Sequence, residues 1–460
     1  MDAAVRRALA LAAGPENFHT GFDQRLIFAS DATGKQFPPE AVVRAVDTAQ
    51  ISRVLATCSA HGVPVVPRGA GSGLTGGALA VTGGIVLDMA GLNRIIEIDP
   101  ADQVAVVQPG VVTGDLQAAA EKLGLFYPPD PASTGFSSLG GNVAENAGGL
   151  RAVKYGVTRD YVMGLTAVLM DGRVFHTGSR TIKSVVGYDL TRLLVGSEGT
   201  LAVIVEIILR LKPLPEAKTT ISAVFARLDD AARGVGDLLA SGIVPTAIEF
   251  MDDDTIRIVE NYAHIGLPVG AAAMLLVDVD GPPEVVQRQG RDVAALLRQA
   301  GGDPVRLARD KAEAEELWRA RRAAGPATYQ MGPYKINEDI VVPLGKLPEM
   351  VRRLKEIAKQ RQVTVVAFGH AGDGNIHVNI MCDQSDPDQL DKAIQARSDV
   401  FAHTLALGGS LSGEHGIGIS KMGFVTSETD PVALELMRGL KKTFDPKNLL
   451  NPGKMWPPAG

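Results

Sequence analysis

Val63-Pro64-Val65-Val66-Pro67-Arg68-Gly69-Ala70-Gly71-Ser72-Gly73-Leu74-Thr75-Gly76-Gly77 runs from a strand-like segment into a glycine-dense loop. Gly71 to Gly76 spells G-x-G-x-x-G behind a strand. A dinucleotide-binding Rossmann unit would start a helix inside that motif. No helix follows here. Ala78-Leu79-Ala80-Val81-Thr82-Gly83-Gly84 is a poor helix and leads into the strand-like Ile85-Val86-Leu87-Asp88. The reading is strand–loop–strand, which sets a nicotinamide site aside. Glycine lets successive amides turn inward with no Cβ in the way, and successive N–H groups form an anion nest. With Arg68 at its edge, the loop reads as a pyrophosphate cradle; a flexible surface loop is the alternative.

Two further small-residue tracts weigh against that alternative. Pro128 to Gly149 combines Pro129, Asp130, Ser133, Thr134 and Gly135 with Gly140-Gly141-Asn142 and Asn146. Gly196-Ser197-Glu198-Gly199-Thr200 runs into the β-like Leu201–Ile204. Small residues let a flat ligand approach the backbone, and hydroxyl and amide side chains can bond to it. The three tracts point to one large ligand held mostly through backbone.

The rest of the composition is that of an ordinary globular chain. Of 460 residues, 45% are hydrophobic and 21% charged, enough to bury a core and to exclude disorder as the main state. The length suits two to four domains. Lys+Arg number 46 against Asp+Glu 52, so bulk basic charge for nucleic acid is lacking. Two isolated cysteines, Cys58 and Cys382, make no disulfide framework, zinc finger or iron–sulfur cluster, and fit a reducing compartment. No apolar run has the length of a membrane span. The segment Met1–Gly14 faintly resembles a signal peptide, but its apolar run is short and Asp2 sits in the basic region; an N-terminal helix in the cytoplasm is expected.

Thr48–His61 has helical spacing at Ile51, Val54, Leu55 and Cys58. The two prolines of Lys212-Pro213-Leu214-Pro215 mark a domain boundary. Beyond it, strand-like runs such as Thr220–Phe225, Ala273–Asp278 and Glu338–Val342 alternate with amphipathic helices at Pro283–Ala300 and Leu347–Arg361. That pattern is α+β with a mainly antiparallel sheet. Val363–Gly369 and Ile376–Met381 read as strands around the turn Ala371-Gly372-Asp373-Gly374-Asn375. A hairpin places His370 and His377 at the same end of adjacent strands, with His377 and Asn379 on one face. Glu414 and His415 lie in a glycine-flanked loop, Ser412–Gly418. Two histidines and one carboxylate suit a divalent transition metal with open positions. His370 as a turn cap and Glu414 in an ordinary ion pair are the alternatives.

In order along the chain, PRGAGSGLTGG (67–77), PPDPASTGFSSLGGNVAENAGG (128–149), KYG (154–156) and GSEGTLAVIVE (196–206) closely resemble the FAD domain of the vanillyl-alcohol-oxidase-like flavoproteins, the PCMH type. HAGDGNIH (370–377), GEHGIG (413–418) and DPKNLLNPGK (445–454) resemble the branch with D-lactate dehydrogenases, glycolate oxidase catalytic subunits and D-2-hydroxyglutarate dehydrogenase. The resemblance covers nearly the whole chain. It implies an FAD domain over 1–213, a substrate and metal domain over 214–425, and a segment 426–460 packing back on the FAD domain. The implied FAD contacts are Arg68, Gly69, Ala70, Gly71, Ser72, Gly73, Leu74, Gly76 and Gly77 in the loop. Pro129, Asp130, Ser133, Thr134, Gly135, Gly140, Gly141, Asn142 and Asn146 join them from the second tract, and Tyr155, Gly156, Glu198, Gly199, Ile204 and Asn451 from elsewhere. No histidine lies in the Gly69–Gly77 loop, in keeping with non-covalent flavin.

The same resemblance implies metal ligands His370, His377 and Glu414, with zinc favoured and iron or manganese also compatible. It implies His415 as the base, Arg321 and Lys335 on the substrate carboxylate, and Asn379 as a substrate contact. The implied reaction is oxidation of a D-2-hydroxy acid to the 2-oxo acid, with hydride to the flavin. Gly325 stands where a hydroxyglutarate-type member would carry threonine, whereas Asn379 matches that type; D-lactate or glycolate is favoured and D-2-hydroxyglutarate is the alternative. A non-catalytic flavin subunit is the contrasting class. The chain has no haem or iron–sulfur motif, so the acceptor is expected to be separate: an iron–sulfur subunit, an electron-transfer flavoprotein, a cytochrome or a quinone. A homodimer and membrane association through a partner are both compatible with the sequence.

Overall fold

The computed structural model describes residues 1–457. The expected α+β class holds. The chain forms two compact units. Unit 1 comprises Met1–Gly148, Val157–Leu214 and the segment from Glu414 on; unit 2 comprises Gly149–Gly156 and Pro215–Gly413.

Unit 1 contains a four-stranded sheet in the order Phe18–His19, Ala41–Arg44, Ile85–Asp88, Val65–Arg68. The last three strands are parallel, so the glycine loop links two adjacent parallel strands with no intervening helix. Thr48–His61 is helical over the expected span. Asp47 caps it by accepting from the Gln50 amide, and Gly62 ends it in the left-handed region. Its Ile51, Val54, Leu55 and Cys58 enter one core with Leu9 of the N-terminal helix Ala3–Ala13 and Ile85 and Leu87 of the sheet. Asp2 accepts from Val5 and so caps that N-terminal helix. A five-stranded antiparallel sheet follows, in the order Ile95–Asp99, Val104–Val107, Val203–Arg210, Val162–Val168, Val174–Gly178.

Unit 2 is built on a seven-stranded sheet with every pairing antiparallel. Its order is Val305–Leu307, Ala217–Phe225, Ala273–Gly281, Ala247–Asp252, Thr364–His370, Asn375–Cys382, Tyr334–Val341. One face carries Met251, Met274, Leu276, Val366 and Phe368, and packs against the helices Asp253–Ala263 and Lys311–Ala327 through Ile256, Val259, Ala320 and Ala324. That packing brings Arg321, on the second helix, to the sheet.

The division differs from the expected 1–213, 214–425 and 426–460 in two main places. The return to unit 1 begins at Glu414. Gly413 is still tied to unit 2, since its amide donates to Asp339 Oδ2 at 2.9 Å. The Ile417 and Gly418 amides instead donate to Glu198 of unit 1, at 2.7 and 2.8 Å. The second difference is the excursion Gly149–Gly156. Buried Asp280 accepts from Lys154 Nζ and from Tyr155 Oη, the latter at 2.9 Å, and holds the segment in unit 2.

Candidate functional site

The cradle loop has a property its composition alone does not show. Among the described residues, no backbone N–H from Ala70 through Gly77 donates to a protein acceptor. Backbone donors left without a partner cost free energy unless a ligand or water takes them, so a run of them is a ready anion nest. The second tract differs. Gly140 donates to Pro109 O, Leu139 to Val111 O and Ser137 to Ser133 O, and Leu139–Glu145 is a short helix capped by Ser138. The sequence does not announce that helix, because two adjacent glycines in its first turn hide it. In the third tract Gly196 donates to Val143 O and Glu198 to Ala144 O. The spare amides are therefore concentrated in the first tract, and the other two frame it.

Side chains expected at the flavin perform that framing. Arg68 is buried, and its Nη2 donates to Ser30 O at 2.8 Å; burial pushes its guanidinium below the ordinary arginine value. Asn451 Nδ2 donates to Gly77 O at 2.9 Å and to Glu198 O at 2.7 Å, clamping the loop to the third tract. Both carboxylate oxygens of Glu198 accept from the 414–418 loop, and burial raises its pKa. Asn142 Nδ2 donates to Thr113 Oγ1 at 2.7 Å, and Asn146 Oδ1 accepts from Arg159 N. His415 stands in that same loop, with its carbonyl accepting from Thr75 Oγ1 at 3.2 Å. A Cβ on Gly148, at the end of the second tract, would lie 2.8 Å from Glu414 Oε1. Tyr155 and Gly156 belong to unit 2.

Unit 2 supplies a side-chain site on regular sheet. The hairpin forms as expected, with His370 opposite Asn375 and Phe368 opposite His377. Phe368, His370, His377 and Asn379 share one face, and the imidazoles converge diagonally, Nε2 to Nε2, at 3.2 Å. A tetrahedral centre with ligand bonds of 2.0–2.1 Å sets its nitrogens about 3.3 Å apart, so the pair fits a divalent cation. Glu249, on the neighbouring strand Ala247–Asp252, is the register partner of His370, and its Oε1 lies 2.5 Å from His370 Nδ1. The second oxygen accepts from Arg321 Nε at 2.7 Å. The guanidinium carbon of Arg321 sits 4.7 Å from the Phe368 ring centroid. Sequence reasoning misses Glu249; its signal is a lone acid inside the apolar run Ala247-Ile248-Glu249-Phe250-Met251.

Lys335 lies on the strand Tyr334–Val341, opposite Met381 and two residues along from Asn337, the partner of Asn379. Its ammonium stands 4.9 Å from the Tyr329 ring centroid, and burial lowers its pKa. Asn379 Nδ2 donates to Val366 O at 3.3 Å and His377 O at 3.4 Å, so its amide braces the hairpin. Gly413 is fixed on Asp339, the register partner of His377, and Glu414 is the next residue of the chain.

A nest of spare amides in one unit and a histidine–carboxylate–arginine group in the other fit an oxidoreductase that works with a bound cofactor. Residues 39–178 match the model of an FAD binding domain, and residues 214–455 match that of the C-terminal domain of FAD linked oxidases. The chain is 44% identical to glycolate oxidase subunit GlcD of Bacillus subtilis, covering 98% of this chain and 96% of that protein. It is 36% identical to D-lactate dehydrogenase of Anaerostipes hadrus, over 91% and 89% of the two chains. Crystalline p-cresol methylhydroxylase with substrate bound shares the fold, with a TM-score of 0.81 at 17% identity over 98% of this chain and 96% of that one. The chain belongs to the FAD-linked oxidase family with the PCMH-type FAD-binding fold, and its cofactor is FAD. Among the described residues, no helix is long and apolar enough to cross a membrane.

Proposed function

We propose that the chain oxidises a small 2-hydroxy acid, D-lactate or glycolate, to the 2-oxo acid and passes the electrons to a separate acceptor. The observation that carries this reading is the converging His370–His377 pair on the face that also holds Arg321 and Lys335. The relatives named for glycolate and D-lactate support the same substrate class, because both are 2-hydroxy acids. Bound FAD supplies the two-electron hydride acceptor. A divalent ion held by His370, His377 and Glu414 would lower the pKa of the substrate hydroxyl and fix its position.

The remaining work falls to this chain's side chains. Arg321 and Lys335 pair with the substrate carboxylate, which charge-assisted hydrogen bonds orient. Arg321 has donors to spare: among the described residues its side chain makes one hydrogen bond, from Nε to Glu249. His415 takes the hydroxyl proton as the C2–H bond breaks, a role suited to an imidazole near neutral pH. The amides of Ala70 to Gly77 hold the pyrophosphate without a covalent link to the flavin. Zinc is the favoured ion, and iron or manganese suits the same ligands. The acceptor is an iron–sulfur subunit, an electron-transfer flavoprotein, a cytochrome or a quinone.

The test is anaerobic flavin bleaching against a panel of D- and L-2-hydroxy acids, with metal analysis of the same sample. D-lactate or glycolate should bleach the flavin, and chelation should slow bleaching while FAD stays bound. Bleaching by L-lactate as fast as by D-lactate, or by no member of the panel, overturns the proposal.

A further inference from the structure

We propose that Glu249 is a positioning residue that ties the metal-ligand histidine to the substrate-binding arginine, so that one carboxylate sets the geometry of both. The inference rests on the reading of His370 and His377 as ligands and of Arg321 as a carboxylate contact.

The geometry is specific. Glu249 sits in the middle of a central strand, is 1% exposed, and reaches two partners with its two oxygens. Oε1 meets His370 Nδ1 at 2.5 Å, and Oε2 accepts from Arg321 Nε at 2.7 Å. With Oε2 accepting from Arg321, Oε1 is placed to accept as well, and this geometry assigns the donor role to Nδ1 of His370. In the neutral ring that leaves the lone pair on Nε2, the nitrogen 3.2 Å from His377 Nε2. A ligand histidine held by a carboxylate through its other nitrogen is fixed in tautomer and ring orientation and made more basic.

The arginine is constrained by the same group. Bonded through Nε and laid over Phe368, its guanidinium plane is held at both edge and face. Its terminal nitrogens remain for a planar, bidentate carboxylate partner. A buried carboxylate next to a guanidinium could be a structural ion pair and nothing more. The placement speaks against that, because the other oxygen is spent on a histidine whose remaining nitrogen faces a second histidine.

The experiment compares wild-type holoenzyme with Glu249→Gln, Glu249→Asp, His377→Ala and Glu249→Gln combined with Arg321→Met. The readouts are zinc affinity of metal-stripped protein, the nitrogen shifts of ¹⁵N-labelled histidines, and flavin reduction across substrate concentration. Glutamine can still accept from His370 through its oxygen but then presents an amide N–H to Arg321, where donor meets donor. Glu249→Gln should weaken zinc binding by about 10–100-fold, raise the apparent substrate constant, and shift the nitrogen resonances of His370, whose Nδ1–H then meets a neutral acceptor. Glu249→Asp, which keeps the charge but shortens the reach, should recover part of each loss. The double variant removes the stranded guanidinium; if Glu249→Gln alone does not fold, it carries the zinc and nitrogen readouts.

Unchanged zinc affinity together with unchanged His370 nitrogen shifts in the variants overturns the proposal. The metal reading fails separately: His377→Ala would then hold zinc as tightly as the parent, or the parent would hold none. The nitrogen shifts and the substrate constant still decide the role of Glu249 in that event.

Discussion

The two candidate sites are built from opposite parts of the polypeptide. In unit 1 the spare donors are main-chain amides, and the side chains around them, Arg68, Glu198 and Asn451, are spent on bracing loops. In unit 2 the hairpin backbone is consumed by the sheet ladder; the side chains of His370 and His377 project from it, and Glu249 of the neighbouring strand and Arg321 of the packed helix meet them. The lesson is about tolerance. A backbone cradle depends on the absence of side chains and on loop conformation. A side-chain site depends on register, because a one-residue slip turns every group to the other face.

The largest expected effect tests the cradle. Gly73 has open space around the position of a Cβ and does not lie in the left-handed region. Gly76 has φ +82°, and its Cβ would lie 2.6 Å from Ile419. Gly73→Val should therefore fold with a near-parental melting temperature yet lose its FAD, because the isopropyl group occupies the nest. Gly76→Val should lose both FAD and stability. Flavin content measured beside thermal unfolding separates the two, and a yellow Gly73→Val protein would place the pyrophosphate elsewhere.

Next come the side chains proposed for catalysis. His415→Asn should slow flavin reduction by about 10²–10⁴-fold, with a smaller change in the apparent substrate constant. Arg321→Met should chiefly raise that constant. Rapid reduction across substrate concentration distinguishes the pair. Reduction at the parental rate in His415→Asn would exclude it as the base.

The same contrast explains what can be read from the sequence. Glycine density announces a loop that must approach a ligand, and period-two alternation around a turn announces a hairpin; both signals are local. Thr48–His61 and the His370–His377 hairpin are legible for that reason. Glu249 reaches His370 only because strands 247–252 and 364–370 pair, with more than a hundred residues between them. Asp280 likewise captures Lys154 and Tyr155 from a distant segment. Nothing local in KYG reports that these residues leave unit 1. The bracing roles of Arg68 and Asn451 are also hidden, since a family motif names a position without saying what its atoms touch.

Asp280→Asn probes that capture with a smaller effect. It leaves Lys154 beside a neutral amide and weakens the Tyr155 contact, for a loss of about 1–3 kcal/mol. Hydrogen exchange should quicken over 149–156 while the Gly69–Gly77 loop keeps its FAD. Parental exchange rates in that segment would show that the anchor lies elsewhere.

An effect of similar size, and confined to the higher pH, sharpens the comparison by separating a structural acid of unit 2 from those of the site. Asp252 is buried, caps the helix Asp253–Ala263, and accepts from Thr255 N at 2.9 Å and Thr255 Oγ1 at 2.7 Å. Burial pushes its carboxyl up to about 6, against about 3.9 in the unfolded chain. A raised native value means that the folded state binds more protons than the unfolded one between those two limits. Stability contributed by this group is then highest below about pH 4 and falls until about pH 6. An asparagine side chain does not titrate, and it caps a helix as well as aspartate does. Asp252→Asn should thus match the parent near pH 4 and exceed it by about 1–3 kcal/mol at pH 7.5, read from denaturant midpoints. Lys355 Nζ, 3.9 Å from Asp252 Oδ2, trims the gain by favouring the ionised form, and its closer partner Asp253 remains in the variant. An equal difference at both pH values would mean that the native carboxyl ionises no differently from the unfolded one, and that burial of Asp252 carries no electrostatic cost.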